Sequence, residues 1–173
     1  HKNILIAGGT GSGKTTLANA LISSIKALTP DDRVVVVEDT FELQCTAPNH
    51  VVLHTCQSAS VTDLLRATMR LRPDRIIVGE VRGGEALALL KVWNTGHPGG
   101  LSTLHANSAQ EALSRLEQLA GEATASTAHL PELIFNAVDI AVFIARDPHV
   151  GRKVREIVSV DGFEHGRYKL NSL

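Results

Sequence analysis

The sequence predicts an α/β fold: a mostly parallel sheet flanked by helices, followed at its carboxyl end by a small antiparallel β meander. Three observations carry this. Short unbroken apolar runs, Ile4-Leu5-Ile6-Ala7, Val34-Val35-Val36-Val37 and Ile76-Ile77-Val78, have the composition of strands buried on both faces of a parallel sheet. Between them lie stretches whose apolar residues recur at helical spacing. After Asp139 the pattern shifts toward alternation, with Val154, Ile157 and Val158 before Asp161-Gly162 and Tyr168 to Leu170 after it, which is how hairpins read.

The first strand runs straight into Gly8-Gly9-Thr10-Gly11-Ser12-Gly13-Lys14-Thr15-Thr16. A phosphate chain carries several negative charges, so its site needs many donors close together and no side chains in the way. Gly8, Gly11 and Gly13 are expected to take positive φ, letting successive backbone N–H groups curl around phosphate oxygens at the positive end of a helix. Lys14 is placed to reach the β- and γ-phosphates, and the Thr15 hydroxyl is the expected ligand of the accompanying Mg2+. A glycine-rich turn with no ligand is the plainer reading. By chance, G-x-x-x-x-G-K-[ST] arises in a chain this long on the order of once per hundred proteins or less. Here it also precedes the amphipathic run Leu17, Ala18, Leu21, Ile22 and Ile25, so nucleoside triphosphate binding is expected.

That helix is expected to run out near Ala27, with Pro30 beyond it. Arg33 leads into the valine run, and Glu38-Asp39 follows at its carboxyl end, where ligands bind in open α/β sheets. The alternative for this pair is a turn or a helix cap. Function is favoured for Glu38, and the two uses stay balanced for Asp39. Residues 40 to 50 read as loop, and Val51-Val52-Leu53-His54 as a short edge strand. From Ser60, apolar Val61, Leu64, Leu65, Thr68 and Met69 give a helix that ends at Arg72-Pro73-Asp74 and leaves Thr62, Arg66 and Arg70 on its opposite face. Such a face is commonly a solvated stripe. The sharper reading is that Arg66, Arg70, Arg72 or Arg82 meets a nucleotide phosphate of its own or a neighbouring subunit.

Glu80 stands just past the strand Arg75 to Val78, with Gly79 between them. Phosphate-loop NTPases carry an acidic residue here that holds the magnesium shell or orients the attacking water, so Glu80 is the candidate general base. A helix over Gly83 to Thr95 follows, with Ala86, Leu87, Leu90 and Trp93 inward and Gly96 closing it. The next strand, from Gly99, ends in His105-Ala106-Asn107. A lone histidine at a strand end is more often a satisfied hydrogen-bonding residue than a catalyst; His105 rises above that because its strand should end beside those of Glu38 and Glu80. Ser108 and Glu111 form a capping box for a helix carrying Ala109, Ala112, Leu113, Leu116, Leu119 and Ala120, with Glu111 and Arg115 paired on its wet face. Residues 121 to 129 read as loop, Pro131 to Ala137 as a short helix and Asp139 to Ala145 as a strand.

A chain of 173 residues can bury one adequate core. With 17 Lys plus Arg against 18 Asp plus Glu, a net charge of −1 and 3% aromatic residues, direct nucleic-acid binding is not expected. Cys45 and Cys56 form no C-x-x-C pair; they are expected to be reduced thiols and are given no role. The longest apolar runs fall far below the roughly 20 residues needed to span a bilayer. No signal peptide is read, and a cytoplasmic location is expected.

Four motifs, in order and spacing, resemble one family over nearly the whole chain: the bacterial type II/IV secretion, or traffic, ATPases, on their conjugation and type IV secretion side. They are GGTGSGKTT at Gly8 to Thr16, the acidic box Glu38-Asp39-Thr40 with Glu42-Leu43, MRLRPDRIIVGEVRG at Met69 to Gly83, and STLHANSA at Ser102 to Ala109. The resemblance implies a RecA-like P-loop NTPase core. It also implies ATP and Mg2+ held by Lys14, Thr15 and the loop, Glu38 in the acidic box, Glu80 activating water and His105 sensing or stabilising the γ-phosphate; of the four arginines, Arg82 is the one expected at the nucleotide. Pilus and type II members usually read TLHT where this chain has Thr103-Leu104-His105-Ala106, and the tetracysteine zinc motif of many type II members is missing. Tad-type pilus ATPases stay open as an alternative, and a RecA-like nucleic-acid translocase is less favoured. Members work as hexameric rings and have an N-terminal domain that covers the nucleotide and contributes arginine. Residues 1–173 are therefore expected to be the C-terminal ATPase domain of a longer protein, forming a homo-hexamer that serves inner-membrane secretion or conjugation machinery from the cytoplasmic face. All of this requires Lys14, Glu80 and His105 to converge.

Overall fold

A computed structural model of the chain describes residues 1–124 and 126–173. Its strands are β1 (Ile4–Ala7), β2 (Val34–Glu38), β3 (His50–His54), β4 (Arg75–Val78), β5 (Leu101–Leu104), β6 (Ile140–Asp147), β7 (Gly151–Glu164) and β8 (Arg167–Ser172). They form one sheet in the order β3-β2-β4-β5-β1-β6-β7-β8. Strands β1 to β6 pair in parallel, whereas β7 adds antiparallel onto β6 and β8 antiparallel onto β7. The helices are α1 (Lys14–Leu28), α2 (Val61–Thr68), α3 (Glu85–Trp93), α4 (Ala109–Gly121) and α5 (Leu130–Ala137). The α/β class and the closing antiparallel strands are as the sequence predicts, and the meander is continuous with the main sheet.

Helices cover both faces of the parallel strands, which is why those strands are unbroken apolar runs. On one face Ile6, Val34, Val36, Ile77 and Leu101 meet Ala18 and Ile22 of α1. On the other, Leu5, Val37, Ile76, Val78 and Leu104 meet Leu65, Leu89, Leu90, Leu113, Leu116 and Ile134 of α2 to α5. Among the described residues no helix is long and apolar enough to cross a membrane.

Several local expectations are corrected. The second helix stops at Thr68, not near Arg72, and Met69 is exposed. Residues 70 and 71 tighten into i→i+3 turns, and Arg72 adopts a left-handed φ of 52° before Pro73, a position where the right-handed helical region is disfavoured. In α3, Leu87 is only half-buried, whereas Leu89 is fully buried. The last hairpin turns at His165-Gly166; Asp161-Gly162 is instead an irregularity within β7. In α4, Ser108 does accept the Glu111 N–H, but the Glu111 carboxylate reaches back to the Asn107 N–H and Arg115 bonds Gln118. The loop expected at 121 to 129 begins after α4 ends at Gly121, and Ala125 within it lies outside the described residues.

Candidate active site

The loop between β1 and α1 is shaped by its glycines in two different ways. Gly11 and Gly13 take left-handed φ values of 72° and 100°, as expected, but Gly8 does not. Gly8 is required for space instead: a Cβ there would lie 2.4 Å from both the Ile144 carbonyl oxygen and the Ser12 hydroxyl. Helices α2 and α4 begin on serine caps, whereas α1 begins on Gly13 with no side-chain cap and no acidic residue in its first turn. The N–H groups of Gly13, Lys14, Thr15 and Thr16 have no partner among the described residues. The Ser12 hydroxyl is likewise buried and unpartnered. Lys14 adds a buried ammonium that donates to the carbonyls of Gly8 (2.9 Å) and Gly9 (3.2 Å). Burial pulls its pKa down, while the carboxylates of Glu80 and Glu42 pull it back up. So many unpaired donors at the positive end of a helix form an anion site.

The parallel register builds the opposite wall. Val37 pairs with Val78, and Val78 with Ser102, so Glu38, Glu80 and His105 emerge side by side at the carboxyl ends of β2, β4 and β5. The Glu80 carboxylate is held at both oxygens. Oε1 lies 3.0 Å from His105 Nε2, and Oε2 accepts from Arg82 Nε at 2.7 Å. Arg82 also lies 3.7 Å from Asp39, and its hydrogen bond to Glu80 pushes its pKa up. Glu38 is buried, and its Oε2 accepts the backbone N–H groups of Glu42 (3.1 Å) and Leu43 (3.0 Å). That latch turns the acidic loop back over the helix start, where the Thr15 hydroxyl donates to Glu42 Oε2 at 3.0 Å.

Between these walls lies a cavity of about 690 Å³. Of the residues singled out from sequence, Thr10, Gly11, Lys14, Thr15, Glu38, Glu80, Arg82 and His105 line it, so the required convergence is met. Gly8, Gly9, Ser12, Gly13 and Thr16 build the loop without lining the cavity, and Arg66, Arg70 and Arg72 do not line it either. Arg66 instead reaches Asp63. Sequence reasoning gave Glu42 no role of its own and left Asp39 undecided, and both line the cavity. The return of Glu42 to Glu38 four residues earlier is a loop-closing pattern that could have signalled it. Cys45 and Cys56 are free thiols, and Cys56 sits on the far wall. The Thr15 hydroxyl beside a carboxylate is an oxygen donor set that fits Mg2+. Among the described residues no group of three or more His, Cys, Asp or Glu side chains is placed to hold a metal ion.

The model of the family described as "Type II/IV secretion system protein" matches residues 1–150. The probable conjugal transfer protein TrbB of Sinorhizobium fredii is 56% identical over 170 residues, covering 98% of this chain and 51% of that protein. The type IV secretion system protein VirB11 of Bartonella henselae is 43% identical over 129 residues, 70% of this chain and 35% of that protein. Among solved structures, the VirB11 ATPase of the Brucella suis type IV secretion system, in complex with sulphate, superposes with a TM-score of 0.84 at 33% identity, covering 91% of this chain and 48% of that one. The pilus retraction motor PilT with bound ADP gives a TM-score of 0.73 at 25% identity over 95% of this chain and 48% of that one. The chain thus spans about half the length of the relatives it matches.

Proposed function

This chain belongs to the type II/IV secretion ATPase family, and from that premise we propose that it is the ATP-hydrolysing core of a conjugation or type IV secretion motor. The observation that carries the reading is the convergence of Lys14 and Thr15, Glu80, and His105, from three separate strand ends, onto one cavity. The similarity to a conjugal transfer protein and to VirB11 supports the conjugation and type IV side. The likeness to PilT, a pilus retraction motor, keeps pilus machinery, the Tad type included, as the second reading. A nucleic-acid translocase is disfavoured by the near-neutral charge and the scarcity of aromatic residues.

In this proposal the free N–H groups of Gly13 to Thr16 and the Lys14 ammonium bind the triphosphate, whose oxygens draw the ammonium away from the Gly8 and Gly9 carbonyls. The Thr15 hydroxyl would hold the Mg2+ that travels with the nucleotide, which would supply neutralisation of phosphate charge. Glu80 Oε1 takes the proton of the attacking water, and Arg82 on Oε2 fixes the carboxylate's orientation. His105 senses or stabilises the γ-phosphate, a role its 3.0 Å approach to the same carboxylate supports. Glu38 acts as a positioning residue, holding the acidic loop so that Glu42 faces Thr15. Loss of the γ-phosphate removes contacts shared by separate strand ends, and that difference is what a motor converts into domain movement. The working form is a homo-hexameric ring of a longer chain, cytoplasmic and peripheral to inner-membrane secretion machinery.

The test separates chemistry from binding. Glu80→Gln should retain MgATP binding while phosphate release falls by about 10²–10⁴-fold, the span of a positioned base. Lys14→Ala should lose nucleotide affinity itself. Wild-type turnover in Glu80→Gln would remove Glu80 from its role, and an unchanged binding titration for Lys14→Ala would end the nucleotide reading.

A further inference from the structure

The cavity occupies one flank of the glycine loop, the side of β5, β4 and β2. The other flank is covered by β6 and β7, because β1 lies between β5 and β6. The tip of that hairpin is set by Asp147, whose carboxylate accepts the N–H groups of His149 and Val150, and by Gly151 at a left-handed φ of 79°. The turn delivers Arg152 across the loop. Its Nε donates to the Gly11 carbonyl at 3.4 Å, and its Cδ would stand 2.8 Å from a Cβ at position 13. Glycine at 13 thus serves twice, by its positive φ and by leaving room for the arginine stem.

Arg152 differs from its neighbour on the same strand. Arg155 is paired with Asp147, so its charge is spent within the hairpin. Neither terminal nitrogen of Arg152 has a partner among the described residues, and no carboxylate lies within ion-pair distance of it. An exposed guanidinium is thereby held by its stem beside unpaired loop N–H groups, with both terminal nitrogens and their four N–H donors left over.

We propose that Arg152 is a second cationic contact for the bound nucleotide, meeting the α-phosphate and ribose edge rather than the γ-phosphate. This rests on the nucleotide reading of the loop. With the γ-phosphate in the cavity beside Glu80 and His105, the triphosphate runs back along the loop, and its nucleoside end emerges on the flank that Arg152 covers. An arginine fork suits that end because it can hydrogen-bond phosphate and ribose oxygens together. The contact is indifferent to whether the γ-phosphate is present, so it should hold ATP and ADP alike.

The experiment is a calorimetric titration of MgATP and of MgADP into the 173-residue chain as wild type, Arg152→Ala and Arg152→Lys. Arg152→Ala should weaken both nucleotides by a similar factor, about tenfold, as expected for loss of one charge-assisted hydrogen-bonding group. Arg152→Lys, which keeps the charge without the fork, should fall between. Unchanged affinity in Arg152→Ala would overturn the proposal alone, and so would a loss confined to ATP, which would place the guanidinium on the γ-phosphate. A wild-type chain that binds neither nucleotide would overturn the nucleotide reading and this proposal together.

Discussion

The two ends of the parallel sheet carry the same kinds of side chain and use them in opposite ways. At the amino end, Arg75 (side chain 9% exposed) donates to Asp32, to the Gly99 carbonyl and to the Thr29 hydroxyl. Asn3 beside it donates to the Ala137 carbonyl and accepts the Gly100 N–H. At the carboxyl end, among the described residues, the Arg82 guanidinium (side chain 56% exposed) pairs only with the carboxylates of Glu80 and Asp39, and four loop N–H groups have no partner. A polar group whose partners are all built in contributes its free energy to the fold; one left partly free presents it to a ligand.

The contrast is broken most severely by exchanging the two arginines' fates. Arg75→Ala takes the nearest cation from Asp32, leaving it only His1 at 3.5 Å, strips the donors from the Gly99 carbonyl and the Thr29 hydroxyl, and should cost about 3 kcal/mol in urea unfolding, while the folded protein keeps its MgATP affinity. Arg82→Ala should cost under about 1 kcal/mol, because its ion pairs are solvated, yet slow phosphate release by freeing the Glu80 carboxylate. If Arg82→Ala were the more destabilising of the two, the distinction between the ends would fail.

Two glycines give a smaller version of the same contrast. A Cβ at Gly100 would fall 2.2 Å from the Trp93 indole nitrogen and 2.6 Å from the Ile76 carbonyl oxygen, so Gly100→Ala should cost about 1–3 kcal/mol. At Gly9 a Cβ meets nothing within 4 Å, and Gly9→Ala should shift stability by less than about 0.5 kcal/mol. Equal melting temperatures for the two variants would contradict the packing assigned to the amino end.

The antiparallel edge supplies the mildest test. The phenol of Tyr168 donates to Glu117 at 3.0 Å, and burial, with the Glu117 charge behind it, pushes its pKa above the ordinary 10.0. The fold therefore prefers the neutral phenol. Its stabilisation is whole below pH 10 and is lost progressively as pH rises above it. Tyr168→Phe should cost about 1 kcal/mol at neutral pH, and the gap between wild type and variant should narrow above pH 10. A gap that stays constant through that range would mean the phenol is not held in its neutral form.

How much was legible in the sequence follows from how local each signal is. The phosphate loop, the buried strands and the Ser108 cap are written in neighbouring residues and are legible in place, whereas the Ser60 cap, equally local, is not singled out from sequence. The acidic loop was half legible. Glu38 marked a strand end, but only the folded chain spends its Oε2 on the Glu42 and Leu43 N–H groups and aims Glu42 at Thr15. Arg152 was invisible, because its approach to Gly11 depends on β6 pairing with β1 and β7 folding back on β6. The misplaced final turn has the same origin. Asp161-Gly162 is a good turn sequence, but pairing with β8 runs on through it to His165-Gly166.

The sequence by itself determined the order of elements, the glycine loop and the family, since spacing, apolar periodicity and short motifs are properties of adjacent residues. Tertiary structure alone decided which charges meet. Glu80 finds both Arg82 and His105, Lys14 is buried among carbonyls, and Arg152 crosses the loop because parallel register sets distant strand ends a few ångströms apart. Register is a cooperative property of the whole sheet, and no window of the chain encodes it.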